Sequence, residues 1–346
     1  MSLYQIQNTL YVMTPQAYAH LDNGTVRIDV DREAKLRVPL HHVGGLVCFG
    51  NVMVSPALMH RLADEGRALV LLDASGRFKA RMEGAVSGNV LLRRAQHQAL
   101  DDPANATALA RAIVLGKLRN SRTLLLRGAR ESSDASDREL LRRAAANIGA
   151  SVRALRGRQD LDALRGIEGE AARGYFAALN HIVKPKLRDS FQLAGRTRRP
   201  PRDRFNALLS FLYSMSMNDC RSAVESVGLD PQIGFLHALR PGRAALALDL
   251  QEEFRSVLAD RLALTLINRG QIGPKDFEER DGGAILLNDQ GRREVVTAWQ
   301  ARKQEEVRHP LIDNPVPYGV LPLFQARILA RTLRGDLPSY TPYLAR

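Results

Sequence analysis

The sequence predicts an α+β protein, with an N-terminal β-strand domain (residues 1–90) followed by a larger C-terminal all-α domain (residues 91–346). Two observations lead to this prediction. Up to about residue 86 the apolar residues form short aliphatic runs separated by turn residues, which is typical of strands. Beyond about residue 90 they recur at intervals of three and four, the period of an amphipathic helix. Because strands and helices are segregated along the chain, an alternating βαβ dinucleotide-binding fold is disfavoured.

The predicted strands are short and rich in aliphatic residues. They cover residues 8–13, 17–22, 25–30, 34–40, 43–50, 67–73 and 77–84. Asn23-Gly24 separates the second strand from the third, and this dipeptide strongly favours a tight hairpin. One short helix is predicted from Pro56 to Glu65, because Ser55 can cap its beginning and Gly66 can end it.

The predicted helices follow from the three-and-four spacing of apolar residues. They lie within residues 91–100, 105–129, 137–157, 205–228, 252–270, 294–309 and 322–336, with a further helix around Glu168. The chain is therefore large enough for two domains with apolar cores.

Composition restricts the class of partner and the compartment. A formal charge of +13 favours a polyanionic partner, of which nucleic acid is the commonest. A membrane-spanning protein is not expected, because no apolar run approaches the roughly 18 residues that span a bilayer. The two cysteines, Cys48 and Cys220, are too few for a disulfide scaffold or a cysteine zinc cluster. The beginning of the chain lacks the features of a signal peptide, so we predict a cytoplasmic protein.

Glu168 interrupts an apolar helical stripe. At helical spacing the stripe contains Leu161, Leu164, Glu168, Ala172, Tyr175 and Leu179. A buried, unpaired carboxylate is unfavourable by several kcal/mol or becomes protonated. The position therefore predicts a cation beside Glu168, either a metal ion or a basic side chain. The alternative is that the helix rotates far enough for Glu168 to reach solvent.

A basic linker is predicted at residues 184–204. It contains eight Lys or Arg residues against Asp189 and Asp203, and Pro200-Pro201 interrupts it. Clustered arginines suit phosphate binding, so Arg196, Arg198 and Arg199 are predicted to bind DNA. The alternative is a solvated loop whose charge has no partner.

Three further positions are candidates for chemistry, although each has a simpler explanation. His237 ends the apolar run IGFLH, where a lone histidine is more often part of a core or loop than a ligand. Asp249 and Glu252 have the spacing of a capping box at the start of a helix. Glu253, Ser256 and Asp260 then continue a polar helix face of the kind that faces solvent.

Several longer motifs occur together in a specific order. They are GIEGEAARGYF around Glu168, NALLSFLY from Asn206, GFLH ending at His237, LALDLQEEFR ending at Arg255, VLADRLALTLINRGQ, and LPLFQARILARTLRGDLPSY near the end. Through these motifs the whole chain resembles the CRISPR-associated protein one family, the integrases of CRISPR spacer acquisition. The length and the final motif look most like the type I, subtype C branch. The family fold is a β domain joined to an α-helical domain, as the periodicity predicts independently.

The resemblance implies a metal site. The family's ligands correspond to Glu168, His237 and Glu252, which would hold one divalent ion, and Asp249 is implied as an adjacent carboxylate that assists or orients a ligand. Two carboxylates and an imidazole without a thiolate suit Mg²⁺ or Mn²⁺.

One position departs from the family pattern. A tyrosine common in the family is replaced by Met217 here. A tyrosine role at this point is therefore open, and Tyr213 on the same helix is the candidate that could contribute.

The resemblance also implies a function. It is a metal-dependent DNA integrase and endonuclease of CRISPR adaptation, in which the 3′-hydroxyl of a short DNA fragment attacks the CRISPR repeat by transesterification. Arg240, Arg243 and Arg255 are candidates to neutralise phosphate charge beside the site. The implied partners are prespacer DNA, the repeat array, a second copy in a homodimer and CRISPR-associated protein two. Dimerisation and contacts to DNA ends are implied for the N-terminal domain.

Two other functions remain open from the sequence. A non-catalytic nucleic-acid-binding scaffold would explain the charge of +13 equally well, with its acidic residues serving as caps and ion pairs. A generic metal-dependent nuclease would share the site and differ in its partners. Glu168 on an apolar stripe argues against the scaffold, which has no need of it.

Overall fold

The computed structural model describes residues 8–73, 78–82, 84, 90–157, 160–197, 200–311 and 315–345. The chain divides into two compact units. One contains Met1–Ser87 together with Arg292–Gln304, and the other contains Gly88–Gly291 together with Glu305–Arg346. Residues 292–304, which the sequence places in the C-terminal domain, thus group with the N-terminal unit.

The N-terminal unit contains two four-stranded sheets. Its strands are β1 (Asn8–Val12), β2 (Tyr18–Asp22), β3 (Thr25–Val30), β4 (Glu33–Pro39), β5 (Val43–Phe49), β6 (Met53–Val54), β7 (Ala68–Leu72) and β8 (Phe78–Met82). One sheet has the order β1-β5-β7-β8, with β8 antiparallel to β7 and the other pairs parallel. The second has the order β4-β3-β2-β6, with β6 parallel to β2 and the other pairs antiparallel. The predicted N-terminal β-strand region is confirmed. The short strand β6 was not predicted, and parts of the predicted strand 77–84 lie outside the described residues.

Local turn and cap chemistry explains how this unit is built. Asn23 and Gly24 both have positive φ, 46° and 75°, the conformation that a two-residue type I′ hairpin between β2 and β3 requires. The short helix α1 (Pro56–Asp64) begins where Ser55 Oγ accepts the N–H of Leu58 at 3.2 Å. It packs against β2 and β7, and the core between them is fully apolar. Both sequence predictions are confirmed.

The helical unit is built from helices, four of which begin at aspartate caps. The helices are α2 (Val90–Asp101), α3 (Pro103–Glu131), α4 (Ala135–Ala154), α5 (Leu161–Leu179), α6 (Arg204–Ser226), α7 (Ala245–Glu252), α8 (Arg261–Asn268), α9 (Asp289–Gln304, of which 292–304 group with the N-terminal unit) and α10 (Leu321–Leu333). Caps for α3 to α6 are provided by Asp102, Asp134, Asp160 and Asp203. A π-helical segment, Arg255–Asp260, connects α7 to α8. Such segments are rare and are often found at functional sites.

Two short antiparallel ribbons accompany the helices. One pairs β9 (Phe277–Arg280) with β10 (Ala284–Leu287), and the other pairs β11 (Glu306–Arg308) with β12 (Pro315–Pro317). Strands of three or four residues are too short to show a period of two, so the sequence does not predict them. The predicted order of a β region followed by a predominantly helical part is confirmed.

Helix α3 is the centre of the helical unit. It packs against α4, α5, α7 and the π-helical segment. Gly116 on α3 lies where an added Cβ would come within 2.7 Å of Pro342, so the final residues of the chain approach the helix closely. The side-chain amide of Asn120 donates to the carbonyls of Glu253 and Tyr343, both at 2.8 Å. The terminal segment is therefore tied to the same helices that carry the acidic residues.

Of residues 184–204, predicted as a basic linker, 184–197 and 200–203 form a packed loop within the helical unit, and Arg204 begins α6. Phe191 and Leu193 are buried, and the Asn180 side chain bonds both the N–H and the carbonyl of Leu193. These apolar anchors determine the path of the segment, although its composition is basic. Among the helices of the described residues, none combines the length and apolar character needed to cross a membrane.

Candidate active site

Glu168 is partly buried beside a basic side chain from another helix. Its side chain is 25% exposed, and its Oε1 contacts the ammonium of Lys117 on α3. The same Lys117 Nζ lies 2.6 Å from Oε2 of Glu252 at the end of α7. Of the cations that the sequence allowed, the structure therefore places a lysine between two carboxylates. Within the described residues, no three His, Cys, Asp or Glu side chains are grouped closely enough to form a metal cluster.

His237 presents one ring nitrogen to this carboxylate pair. Its Nε2 lies 3.8 Å from Oε1 of Glu252, and its Nδ1 lies 2.6 Å from Oδ1 of Asp249. An ionised carboxylate can only accept, so Nδ1 carries the proton that bonds Asp249. In the neutral ring, Nε2 then keeps its lone pair and faces Glu252.

Asp249 holds the loop that carries His237. Its carboxylate accepts the backbone N–H groups of Phe235 at 2.6 Å, Leu236 at 2.9 Å and His237 at 3.0 Å, in addition to the imidazole. Helix α7 begins at Ala245, so Asp249 lies inside the helix and does not cap it. The capping-box explanation of Asp249 and Glu252 is therefore wrong.

The charge of Glu252 is stabilised by three cationic or ionisable neighbours. Burial acts to raise the pKa of this carboxyl, but the Arg255 guanidinium at 3.1 Å, Lys117 and His237 outweigh burial and lower the pKa to about 2. Glu252 is only 4% exposed and remains ionised at neutral pH. The site thus holds a buried negative charge with basic side chains around it.

The polar residues after Glu252 face the interior of the protein. Glu253, Ser256 and Asp260 are all buried, so the predicted solvated polar face is wrong. Asp260 accepts the hydroxyl groups of Tyr175 and Tyr213, each at 2.6 Å. Tyr213 is the candidate to contribute in place of the family tyrosine that is missing at Met217. Because its hydroxyl group bonds Asp260, the structure does not establish that it does so.

We expect Asp260 to make stability depend on pH. Burial raises its pKa to about 6, although Tyr175, Tyr213, Arg255 and Arg196 act to lower it. A raised pKa means that the neutral form is favoured in the folded state. Its contribution to stability is full below the ordinary pKa of 3.8 and is lost as pH rises through about 6. The free energy of unfolding should fall by about 3 kcal/mol from this group over that range.

Urea denaturation at several pH values between 4 and 7 measures this effect. The Asp260→Asn variant cannot titrate, so the difference between wild type and variant isolates the contribution of one carboxyl. An equal pH dependence in both proteins would contradict the prediction.

The arginines predicted to bind DNA are placed differently from one another. Arg196 donates to the Thr197 carbonyl at 2.6 Å and to Asn206 Oδ1 at 2.7 Å, and Arg255 is buried against Glu252. Phosphate contacts by these two would require internal bonds to break. Arg240 is exposed, and Arg243 is half-buried with a 3.4 Å contact to the Ala238 carbonyl. Arg198 and Arg199 lie outside the described residues.

Lys117 is the residue that sequence reasoning missed. It lies in α3 among buried neighbours such as Val114, Gly116 and Leu118. Lys117, like Glu168, is a charged residue among apolar positions of a helix. This pattern in the sequence could have indicated that the two side chains pair.

Comparison with known proteins identifies the family. The model of the family "CRISPR associated protein Cas1" matches residues 10–301. This chain belongs to the Cas1 family. Cas1 relatives cover nearly its whole length. The CRISPR-associated endonuclease Cas1 1 of Moorella thermoacetica is 54% identical over 344 residues, covering 99% of this chain and all of the relative. The CRISPR-associated endonuclease Cas1 2 of Rhodospirillum rubrum is 48% identical, covering 98% of each chain. The predicted family is confirmed.

Solved structures agree on the fold. A CAS1 protein from Thermotoga maritima has a TM-score of 0.80 at 23% identity, covering 95% of this chain and 97% of that one. A casposase bound to integration product has a TM-score of 0.81 at 22% identity, covering 96% and 92%. A chain of a Cas6-RT-Cas1–Cas2 complex has a TM-score of 0.83 at 24% identity, covering 99% of this chain and 36% of that one. At these identities the likeness is one of fold.

Proposed function

We propose that this Cas1 chain is a divalent-metal-dependent DNA endonuclease and integrase of CRISPR adaptation. The observation that carries the proposal is the pair of carboxylates, Glu168 and Glu252, gathered around one cationic group with His237 Nε2 facing the second of them. The names of the relatives, which are CRISPR-associated endonucleases, support the nuclease activity. The casposase bound to integration product supports a fold compatible with strand transfer.

The types of donor atom gathered here suit a divalent ion. Lys117 demonstrates that positive charge is accommodated between Glu168 and Glu252, and Asp249 leaves Nε2 of His237 as a nitrogen donor. Glu168, Glu252 and His237 would hold Mg²⁺ or Mn²⁺, since two carboxylates and an imidazole suit either ion. When bound, the ion would supply Lewis-acid activation of a phosphate.

The protein's own side chains prepare the site for this chemistry. Asp249 fixes the orientation and tautomer of His237, and Arg255 keeps Glu252 ionised in a buried position. Lys117 and the exposed Arg240 provide positive charge for the phosphate oxygens. The 3′-hydroxyl of the incoming fragment gives up its proton to solvent as its oxygen bonds to phosphorus in the repeat strand. The bond from that phosphorus to the 3′-oxygen of the adjoining nucleotide breaks, and the leaving oxygen takes up a proton. Water in place of the 3′-hydroxyl gives hydrolysis.

The proposal includes partners and a setting. Prespacer DNA and the repeat array are the substrates. Two homodimers bridged by Cas2 are the working assembly, and the Cas1–Cas2 complexes among the structural neighbours support Cas2 as a partner. We assign the chain to the type I, subtype C branch on its final motif, and to the cytoplasm. The division of roles, with dimerisation and DNA-end contacts in residues 1–90 and catalysis in residues 91–346, belongs to the same proposal.

A plasmid integration assay tests the activity. The purified chain is mixed with Cas2, labelled DNA fragments and supercoiled plasmid in Mn²⁺, in Mg²⁺ or in chelator. Label should enter the plasmid with either ion and remain free in chelator. A non-catalytic scaffold would retain both DNAs without joining them under every condition, and a generic nuclease would cleave the fragments without transferring them.

A further inference from the structure

A basic pocket lies between α3 and α4, beside the end of the chain. Its volume is about 420 Å³. It is lined by Arg119, Arg122 and Thr123 from α3, by Gly149, Val152 and Arg153 from α4, by Arg156 in the turn after α4, and by Leu344 and Ala345. Gly149, Val152 and Arg153 follow the spacing i, i+3 and i+4, so they share one face of α4.

This pocket opens on the other side of α3 from the candidate active site. Successive residues of an α-helix are rotated by about 100°, so Arg119, Arg122 and Thr123 point between about 140° and 240° away from Lys117. Lys117 contacts Glu168 and Glu252. The pocket is therefore separate from the two carboxylates, although one helix serves both.

The pocket concentrates positive charge. None of its lining residues is acidic, and within the described residues the four guanidinium groups pair with no carboxylate. All four arginines are exposed, and such a concentration of positive charge attracts anions. Arginine forks match phosphate oxygens in two-point contacts.

Gly149 lies between two of the pocket's arginines. It lies in the interior of α4, where glycine weakens a helix relative to alanine. A Cβ added there would lie 3.4 Å from Nε of Arg122 and 3.9 Å from Nη1 of Arg153. A methyl group there would make ordinary contacts, so only a larger side chain would fill the space between the two arginines.

The lining indicates which anion the pocket takes. Its apolar members are Val152, Leu344 and Ala345, and none of the nine lining residues is aromatic or methionine. Protein partners are usually anchored by aromatic residues or methionine, and unpaired bases by aromatic stacking. A sugar-phosphate backbone needs neither, because arginines bind it through phosphate oxygens.

We propose that this pocket binds backbone phosphates of a DNA strand at a second site, outside the catalytic carboxylates. The proposal rests on DNA being the substrate of the chain. It assigns Arg119, Arg122, Arg153 and Arg156 to holding the strand without reading its sequence.

The salt dependence of DNA binding tests the proposal. Fluorescence anisotropy with a labelled duplex bearing single-stranded 3′ ends is measured over a salt series, using the full chain. For Arg122→Ala/Arg153→Ala we expect about tenfold weaker binding and a slope of log K against log salt that is shallower by about 1.5 to 2. The matched control is Arg94→Ala/Arg269→Ala, which removes two exposed arginines outside the pocket. If both double variants give the same slope, the pocket is not a DNA site.

A second variant separates the cavity from its charge. Gly149→Leu keeps every arginine and replaces a helix-weakening residue with a helix-forming one, while filling the space between Arg122 and Arg153. We expect at least about fivefold weaker DNA binding with an unchanged melting temperature or a higher one. Wild-type affinity in this variant would overturn the proposal.

Two further measurements separate the pocket from the active site and DNA from an acidic peptide as the bound anion. Glu168→Gln should bind DNA with the wild-type salt slope. Failure of the second-site proposal can therefore be distinguished from failure of the proposed activity. A labelled polyglutamate peptide serves as the alternative anion. Should Arg122→Ala/Arg153→Ala weaken binding of the peptide and leave binding of DNA unchanged, the pocket is a protein-binding site and the proposal is wrong.

Discussion

Strand transfer by the Glu168→Gln variant is expected to fall by about a thousandfold or more in Mn²⁺, while DNA affinity stays within about twofold of the wild type. The substitution keeps the size of the side chain and removes a charged oxygen that faces the shared cation position with Glu252. An amide is a far weaker ligand for a hard divalent ion than a carboxylate. DNA affinity should persist because exposed arginines elsewhere provide most of the phosphate contacts.

Glu170→Gln is the matched control for this prediction. Glu170 lies two residues further along α5 and is exposed, so the same chemical change is made on the same helix outside the site. His237→Ala and Glu252→Gln should behave as Glu168→Gln does. Strand transfer at the wild-type rate in any of these three variants would show that the assigned ligands are wrong.

Thermal melting gives a second readout that does not depend on activity. Mn²⁺ at about one hundred times its dissociation constant should stabilise the wild type by about 2.7 kcal/mol. Glu170→Gln should keep this stabilisation, and Glu168→Gln should lose most of it. If Mn²⁺ leaves the wild-type melting temperature unchanged, the carboxylates form a structural ion-pair cluster and the scaffold function gains support.

Local chemistry was sufficient to predict much of the fold from the sequence. Asn23-Gly24 defines the β2–β3 hairpin, and Ser55 begins α1, because both signals act within a few residues. The grouping of residues 292–304 with the N-terminal unit had no such local signal. Which unit a helix packs on depends on contacts between distant parts of the chain, and an apolar stripe alone does not specify its partner.

The candidate site could be predicted only in part, because its residues come from distant parts of the chain. A carboxylate on an apolar stripe requires a cation, so Glu168 could be singled out, and the choice between a metal and a basic residue had to stay open. Lys117 is 51 residues earlier in the chain, and only the packing of α3 against α5 brings it to Glu168. The prediction that Asp249 caps a helix was wrong because an aspartate followed by a glutamate occurs both in a capping box and where a buried carboxylate accepts hydrogen bonds. The beginning of α7 at Ala245, four residues earlier, distinguishes them.

Asp249→Asn is expected to lower strand transfer by about a hundredfold by displacing His237, even though the variant removes no proposed ligand. Each carboxylate oxygen of Asp249 accepts two donors: Oδ2 bonds the N–H groups of Phe235 and Leu236, and Oδ1 bonds the N–H and Nδ1 of His237. An amide group has one oxygen and one NH₂, so in either orientation an NH₂ group must face two donors. The fold should lose about 3 kcal/mol, because bonds to a buried charged acceptor are stronger than neutral ones.

The consequences for His237 make this variant informative about positioning. When the NH₂ replaces Oδ1, the imidazole can no longer donate from Nδ1, and its proton moves to Nε2, the nitrogen that faces Glu252. Loss of such a supporting contact typically weakens metal affinity by 10- to 100-fold, so raising the Mn²⁺ concentration should restore part of the activity. The control is Asp230→Asn in the preceding loop, where the carboxylate accepts one N–H from Gln232 and an amide oxygen can replace it. Activity that stays low at every Mn²⁺ concentration would mean that Asp249 acts on the chemical step itself, whereas a wild-type Mn²⁺ titration would mean that His237 is held in place without it.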